Sequence, residues 1–75
     1  MMSIPITSEF IELAALLKLA GIGQTGGHAK LLIQEGNVRV DGEVVTRRRA
    51  KVHPGATIEV TSDVTHRFTV VREAV

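Results

Sequence analysis

Two stretches of the chain carry apolar residues at helical spacing. In "TSEFIELAALLKLAG" (7–21), Phe10, Leu13, Leu17 and Ala20 recur one helical turn apart, with Leu16 beside them, and predict a helix with an apolar stripe. Thr7 is its predicted N-cap, and Ile6 and Ile11 occupy the two positions of a hydrophobic staple. Glu9 and Glu12 near the start and Lys18 near the end match the helix macrodipole, and Gly21 can close the helix in the left-handed conformation. In "TGGHAKLLIQEG" (25–36), Ala29, Leu32 and Ile33 form the apolar face of a second, shorter helix. Thr25 is its predicted cap and Gly36 its stop, while Lys30 and Gln34 share an exposed face. Gly26 and Gly27 are unusual in a first turn: either they let another backbone approach closely, or the helix starts later, near His28.

After Gly36 the period changes from helical to alternating. "NVRV-DG-EVVT" predicts a β-hairpin, because Asp-Gly suits the left-handed central residues of a type I′ turn. Val38, Val40 and Val45 then face a core and Arg39 faces out. "HPG" (53–55) predicts a turn, and "TIEV" and "HRFTVV" two further strands parted at Ser62–Asp63. In the last strand Phe68 and Val70 alternate with Arg67 and Thr69. The order predicts an α+β domain: two N-terminal helices packed on a small, mostly antiparallel sheet of short strands.

Length and composition narrow the class. The chain has 75 residues, enough for one domain spanning 1–75 and not for two. An apolar fraction of 44% is that of a globular protein. Cysteine is absent, which excludes disulfides and thiolate metal sites and fits a reducing compartment. "MMSIPITSEF" has neither the basic residue nor the apolar run of a signal peptide. "FIELAALLKLAGI" carries Glu12 and Lys18 and is too short to span a bilayer. A soluble cytoplasmic domain without a membrane partner is expected.

The net charge is only +1, yet the charge is unevenly placed. Arg47, Arg48, Arg49 and Lys51 crowd into "TRRRAK" (46–51), with no acid between Val44 and Ile58. If 46–52 is extended, Arg47, Arg49 and Lys51 project to one side at a pitch of roughly 6–7 Å. That pitch suits a run of phosphates, each of which arginine can hold in a bidentate fork. Arg48 then turns away. Arg39 extends the row if it shares that face, and His28 and Lys30 flank it. Thr25 and the start of the second helix add backbone N–H groups as a further anion site. A solvated edge strand kept from aggregating is the plainer explanation of such a run.

The set "EGNVRVDGEVV" (35–45) followed by "VHPGATIEV" (52–60) resembles the RNA-binding domain named after small-subunit ribosomal protein S-four, the alpha-L motif. Glu35, Gly36, Val38, Val40, Asp41 and Gly42 match one family run, and Pro54, Gly55, Ile58 and Val60 match the next. "LLKLAGI" and "AKLLI" also fit, and "TRRRAK" looks most like the small stand-alone bacterial members. The resemblance covers about residues 10–60. Several familiar family residues differ: Glu12, Leu13 and Ala14 stand where many members have Arg-Leu-Asp, Thr25 and Gly26 replace Ser-Arg, Asn37 an arginine, and Ala56 an acid. The resemblance implies structured RNA of the ribosomal or transfer class as partner, with ribosomal or RNA-processing proteins as further partners. It implies that the cationic work falls to Lys30, Arg39 and the 47–51 run.

The only aromatics are Phe10 and Phe68, and both read as core residues. Reading of single strands by base stacking is therefore not expected, and recognition through phosphates and shape is. His28, His53 and His66 show no ligand spacing, so no metal is expected. "GIGQTGG" (21–27) follows a predicted helix and lacks the Gly-Lys-Ser/Thr ending of a nucleotide loop. With no paired carboxylates or activated nucleophile in view, no enzyme, cofactor or small-molecule substrate is expected. Docking of the basic strand on an acidic protein partner, or binding of duplex DNA, are the alternative readings.

Overall fold

The structure is a computed structural model, and it describes residues 2–23 and 26–73. In chain order the elements are β1 (Met2–Ile6), β2 (Ile11–Glu12), α1 (Leu13–Leu19), α2 (Gly26–Gln34), β3 (Val38–Val40), β4 (Glu43–Val44), β5 (Lys51–Val52), β6 (Thr57–Thr61) and β7 (Thr65–Arg72). Five strands form one sheet in the order β1-β7-β6-β3-β4; β2 and β5 form a separate antiparallel pair. The pairings β3–β4, β3–β6 and β6–β7 are antiparallel, and β1–β7 is parallel.

The alternation expected after Gly36 is present. Val38, Ile58, Val60, Phe68 and Val70 point to one face of the sheet and are buried. Leu13, Leu16 and Leu17 of α1, and Ala29, Leu32 and Ile33 of α2, meet them from the helical side in one continuous core. Val40 and Val45 are half-buried against that core. In the β3–β4 turn Asp41 has φ 52° and Gly42 φ 85°, both left-handed, as a type I′ turn requires. No helix among the described residues is long and apolar enough to cross a membrane.

Both helices end as their glycines predict. Gly21 (φ 77°) donates to Lys18 O at 3.1 Å and Ile22 to Leu17 O at 2.8 Å. Gly36 (φ 81°) donates to Ile33 O at 3.1 Å and Asn37 to Leu32 O at 3.0 Å. Each pair of bonds is a Schellman motif, and the first buries Ile22 together with Leu17. A close backbone approach is seen at Gly23. There φ is 85°, and an added Cβ would stand 3.1 Å from Ala29 N.

The N-terminal half differs from expectation. The helices are not N-terminal in the fold, because β1 precedes them. Ile4 and Ile6 alternate with Ser3 and Pro5 and drop into the core, so Ile6 is a sheet residue and no staple. A proline normally argues against a strand. Here Ile6 O accepts from Glu73 N–H at 2.8 Å, so Ile4 and Ile6 turn their backbone groups towards β7 and Pro5 turns away. Pro5 thus lacks its N–H on the free edge of the sheet, where it discourages further pairing. Thr7 is not the cap of α1. The helix begins only at Leu13, after β2, with Glu12 in the N-cap position (φ −70°, ψ 143°) and no side-chain capping bond. Thr25, the predicted cap of α2, lies outside the described residues.

Candidate functional site

A helix that starts without a capping side chain leaves its first N–H groups in need of acceptors. In α1 the first two are met by the basic run. Leu13 N–H donates to Ala50 O and Ala14 N–H to Arg48 O, both at 2.9 Å. For those carbonyls to converge on the helix, the run must bend. Ala50 N–H donates to Arg47 O at 3.1 Å and closes a turn over 47–50. The extended, alternating geometry expected for 46–52 is therefore confined to its last residues, Lys51 and Val52 in β5. That strand pairs with β2 in the register Ile11↔Val52 and Glu12↔Lys51.

The turn changes which cations stand together. Arg48, which strict alternation would have turned away, lines an open groove of about 320 Å³ with Arg49, Lys18, Glu12, Ala14 and Ala15. Ala14 and Ala15 on that face of α1 leave room above the helix backbone, and Lys18 lies on the same face, three and four residues beyond them. Glu12 is the single acid in the lining. Its Oε2 lies 3.5 Å from Arg49 Nε, with the two side chains 45% and 77% exposed. A pair that open to water contributes about 0–1 kcal/mol, so Arg49 remains available to a stronger anion. Arg47 opens the turn and is exposed.

The other expected site residues lie elsewhere. Arg39 does not extend the row. It is on the outer sheet face, opposite Glu59, which is itself bridged to Arg67 at 2.6 Å. His28 and Lys30 ride on α2, and the groove lining includes neither. Lys18 was missed as a site residue because its helix position alone accounts for it; its neighbours Arg48 and Arg49 are thirty residues further along the chain. Among the described residues no group of three His, Asp or Glu side chains could hold a metal ion.

Phe10 is also not where the sequence placed it. Phe68 is fully buried, whereas Phe10 is 36% exposed at the edge of the β2–β5 pair. Lys51 Nζ stands 4.8 Å from the centre of its ring. The His53 ring lies 6.1 Å away at a tilt of 55°. The stripe of α1 could not include Phe10 once the helix began at Leu13.

Comparison with known proteins agrees with this architecture. The family model of the S4 domain matches residues 4–69. YbcJ of Escherichia coli is 50% identical over 48 residues, which cover 64% of this chain and 69% of that protein. A Bacillus subtilis protein named "probable ribosome maturation protein RlbA" is 40% identical over 57 residues, 76% of this chain and 80% of its own length. The solution structure of Escherichia coli YbcJ, described as revealing an "alfaL motif involved in RNA-binding", superposes with a TM-score of 0.72 at 39% identity. It covers 95% of this chain and 87% of that one. Its helices, its sheet and the two glycine-valine runs at 35–45 and 52–60 thus have a common origin: the chain belongs to the S4 domain family, in its alpha-L form.

Proposed function

We propose that this domain binds structured RNA, of the ribosomal or transfer class, through phosphate and shape contacts at the 47–51 turn and the adjoining face of α1. The observation that carries the reading is the seating of the turn. Backbone carbonyls of Arg48 and Ala50 hold it on α1, and the side chains of Arg48 and of Arg49, whose ion pair with Glu12 is open to water, gather beside Lys18. Arg47 and Lys51 flank them on either side. Arginine suits this work because its planar fork holds a phosphate through two parallel bonds. The motif of YbcJ described as involved in RNA binding, and the name of RlbA, support RNA and the ribosome as the partner class. A cytoplasmic site of action belongs to the same proposal.

The test is the titration of a labelled hairpin RNA at several salt concentrations. Four to six phosphate contacts give a slope of log affinity against log salt of about −3 to −5, because each contact releases condensed counterions. A flat response, or no binding at low salt, would refute the reading. A basic turn beside a helix whose one base is Lys18 fits an A-form backbone better than a DNA major groove, which a densely basic recognition helix normally enters. Competition with duplex DNA at matched salt checks that preference.

A further inference from the structure

We infer that Phe10 is a stacking platform for one unpaired RNA base, faced in the free domain by the Lys51 ammonium and placed at the end of the cationic turn. The inference rests on the proposed RNA binding and adds a base-recognition subsite to a phosphate-tracking surface. An exposed phenylalanine on a chain with one other aromatic calls for a reason, and the core does not supply it: Phe68 fills the core and Phe10 lies outside the buried cluster. The ring is nonetheless held in place. The β2–β5 register pairs Ile11 with Val52, so Phe10 and His53 are the next residues outward on their strands. His53 Nδ1 lies 3.2 Å from Glu9 O. A carbonyl can only accept, so Nδ1 carries the proton and His53 is steered into one orientation beside the ring. At a tilt of 55° the two rings do not stack on each other.

Lys51 supplies the exchange. Its ammonium over Phe10 is a cation–π contact, weak at an exposed site, and it occupies one face of the ring. Lys51 also follows Arg49 by two residues and lies across the ladder from Glu12, at the border of the groove. A phosphate arriving there offers the ammonium a full negative charge. When Lys51 leaves the ring for the phosphate, an aromatic face opens beside that same nucleotide. A base held within a duplex cannot occupy it; a bulged or looped-out base can, since every base presents a π-face. The cationic surroundings select a polyanion over an apolar peptide as the occupant.

The experiment compares a blunt RNA duplex with the same duplex carrying one bulged nucleotide. Wild-type protein should prefer the bulged RNA by roughly 5- to 100-fold, the contribution of one base stacked on an aromatic side chain. Phe10→Leu keeps the site apolar and should bring the two RNAs to near parity, with duplex affinity and salt slope unchanged. Phe10→Trp should keep the preference. The chain has no tryptophan, so this indole would be the sole one, and bulged RNA should quench it more than the duplex does. Far-UV circular dichroism of both variants confirms folding. Salt-dependent binding of both RNAs by the wild type without preference, or a preference that survives Phe10→Leu, would overturn the stacking inference alone. Failure to bind either RNA would overturn the proposed function with it.

Discussion

Replacing both Arg48 and Arg49 by alanine tests the interface without dismantling its support. The turn is anchored to α1 by carbonyl oxygens of Arg48 and Ala50, which alanine retains. The one ion pair removed, Arg49 with Glu12, is open to solvent and contributes about 0–1 kcal/mol at most. The variant should therefore melt close to wild type. Binding should behave otherwise. Each phosphate contact contributes about 0.7 to 0.9 to the salt slope, so losing two flattens it by about 1.5. Between 50 and 500 mM salt that difference amounts to about 30-fold in relative affinity. The loss should be largest at low salt and nearly vanish at high salt. Arg39→Ala, on the far face of the sheet opposite Glu59, is the matched control and should leave the slope unchanged. Fluorescence anisotropy with a labelled hairpin at five or so salt concentrations reads all three proteins. Parallel lines for wild type and double variant would refute the assignment, because a loss independent of salt is not a loss of phosphate contacts.

Three further outcomes follow from the packing. Gly21→Ala should cost about 1–2 kcal/mol, the strain of a left-handed alanine, since its Cβ meets nothing within 4 Å. Gly23→Ala should cost clearly more, because its Cβ would press on Ala29 N at 3.1 Å; equal urea midpoints for the two would show that the approach is not tight. Asp41 bonds the Thr57 N–H through Oδ1 at 2.9 Å while holding φ 52°, so Asp41→Ala should lower Tm by roughly 5–10 °C and Asp41→Asn by far less. Phe68→Ala, in a fully buried position, should cost about 3–5 kcal/mol. A domain this small holds about 4–11 kcal/mol in total, so thermal melting of that variant should begin near room temperature.

What could be read from the sequence was what neighbouring residues decide among themselves. Gly21 and Gly36 end their helices, Asp41–Gly42 closes its hairpin, and His53–Gly55 turns the chain, because each depends on backbone freedom and bonds spanning a few residues. The alternation of Val38, Ile58, Val60, Phe68 and Val70 is equally local, since a strand's period needs only one apolar face. The family runs at 35–45 and 52–60 sit in these same segments. The tertiary structure decided what depends on distant partners. Met2–Ile6 is a strand because β7, more than sixty residues later, offers it an edge. α1 starts not at Thr7 but at Leu13, where carbonyls of Arg48 and Ala50 accept from its first two N–H groups, and that later start leaves Phe10 at the surface and out of the apolar stripe. The same two bonds bend the arginine run. Local periodicity assigned Arg48 to the wrong side of a strand; capping a helix thirty residues earlier placed it beside Arg49 and Lys18.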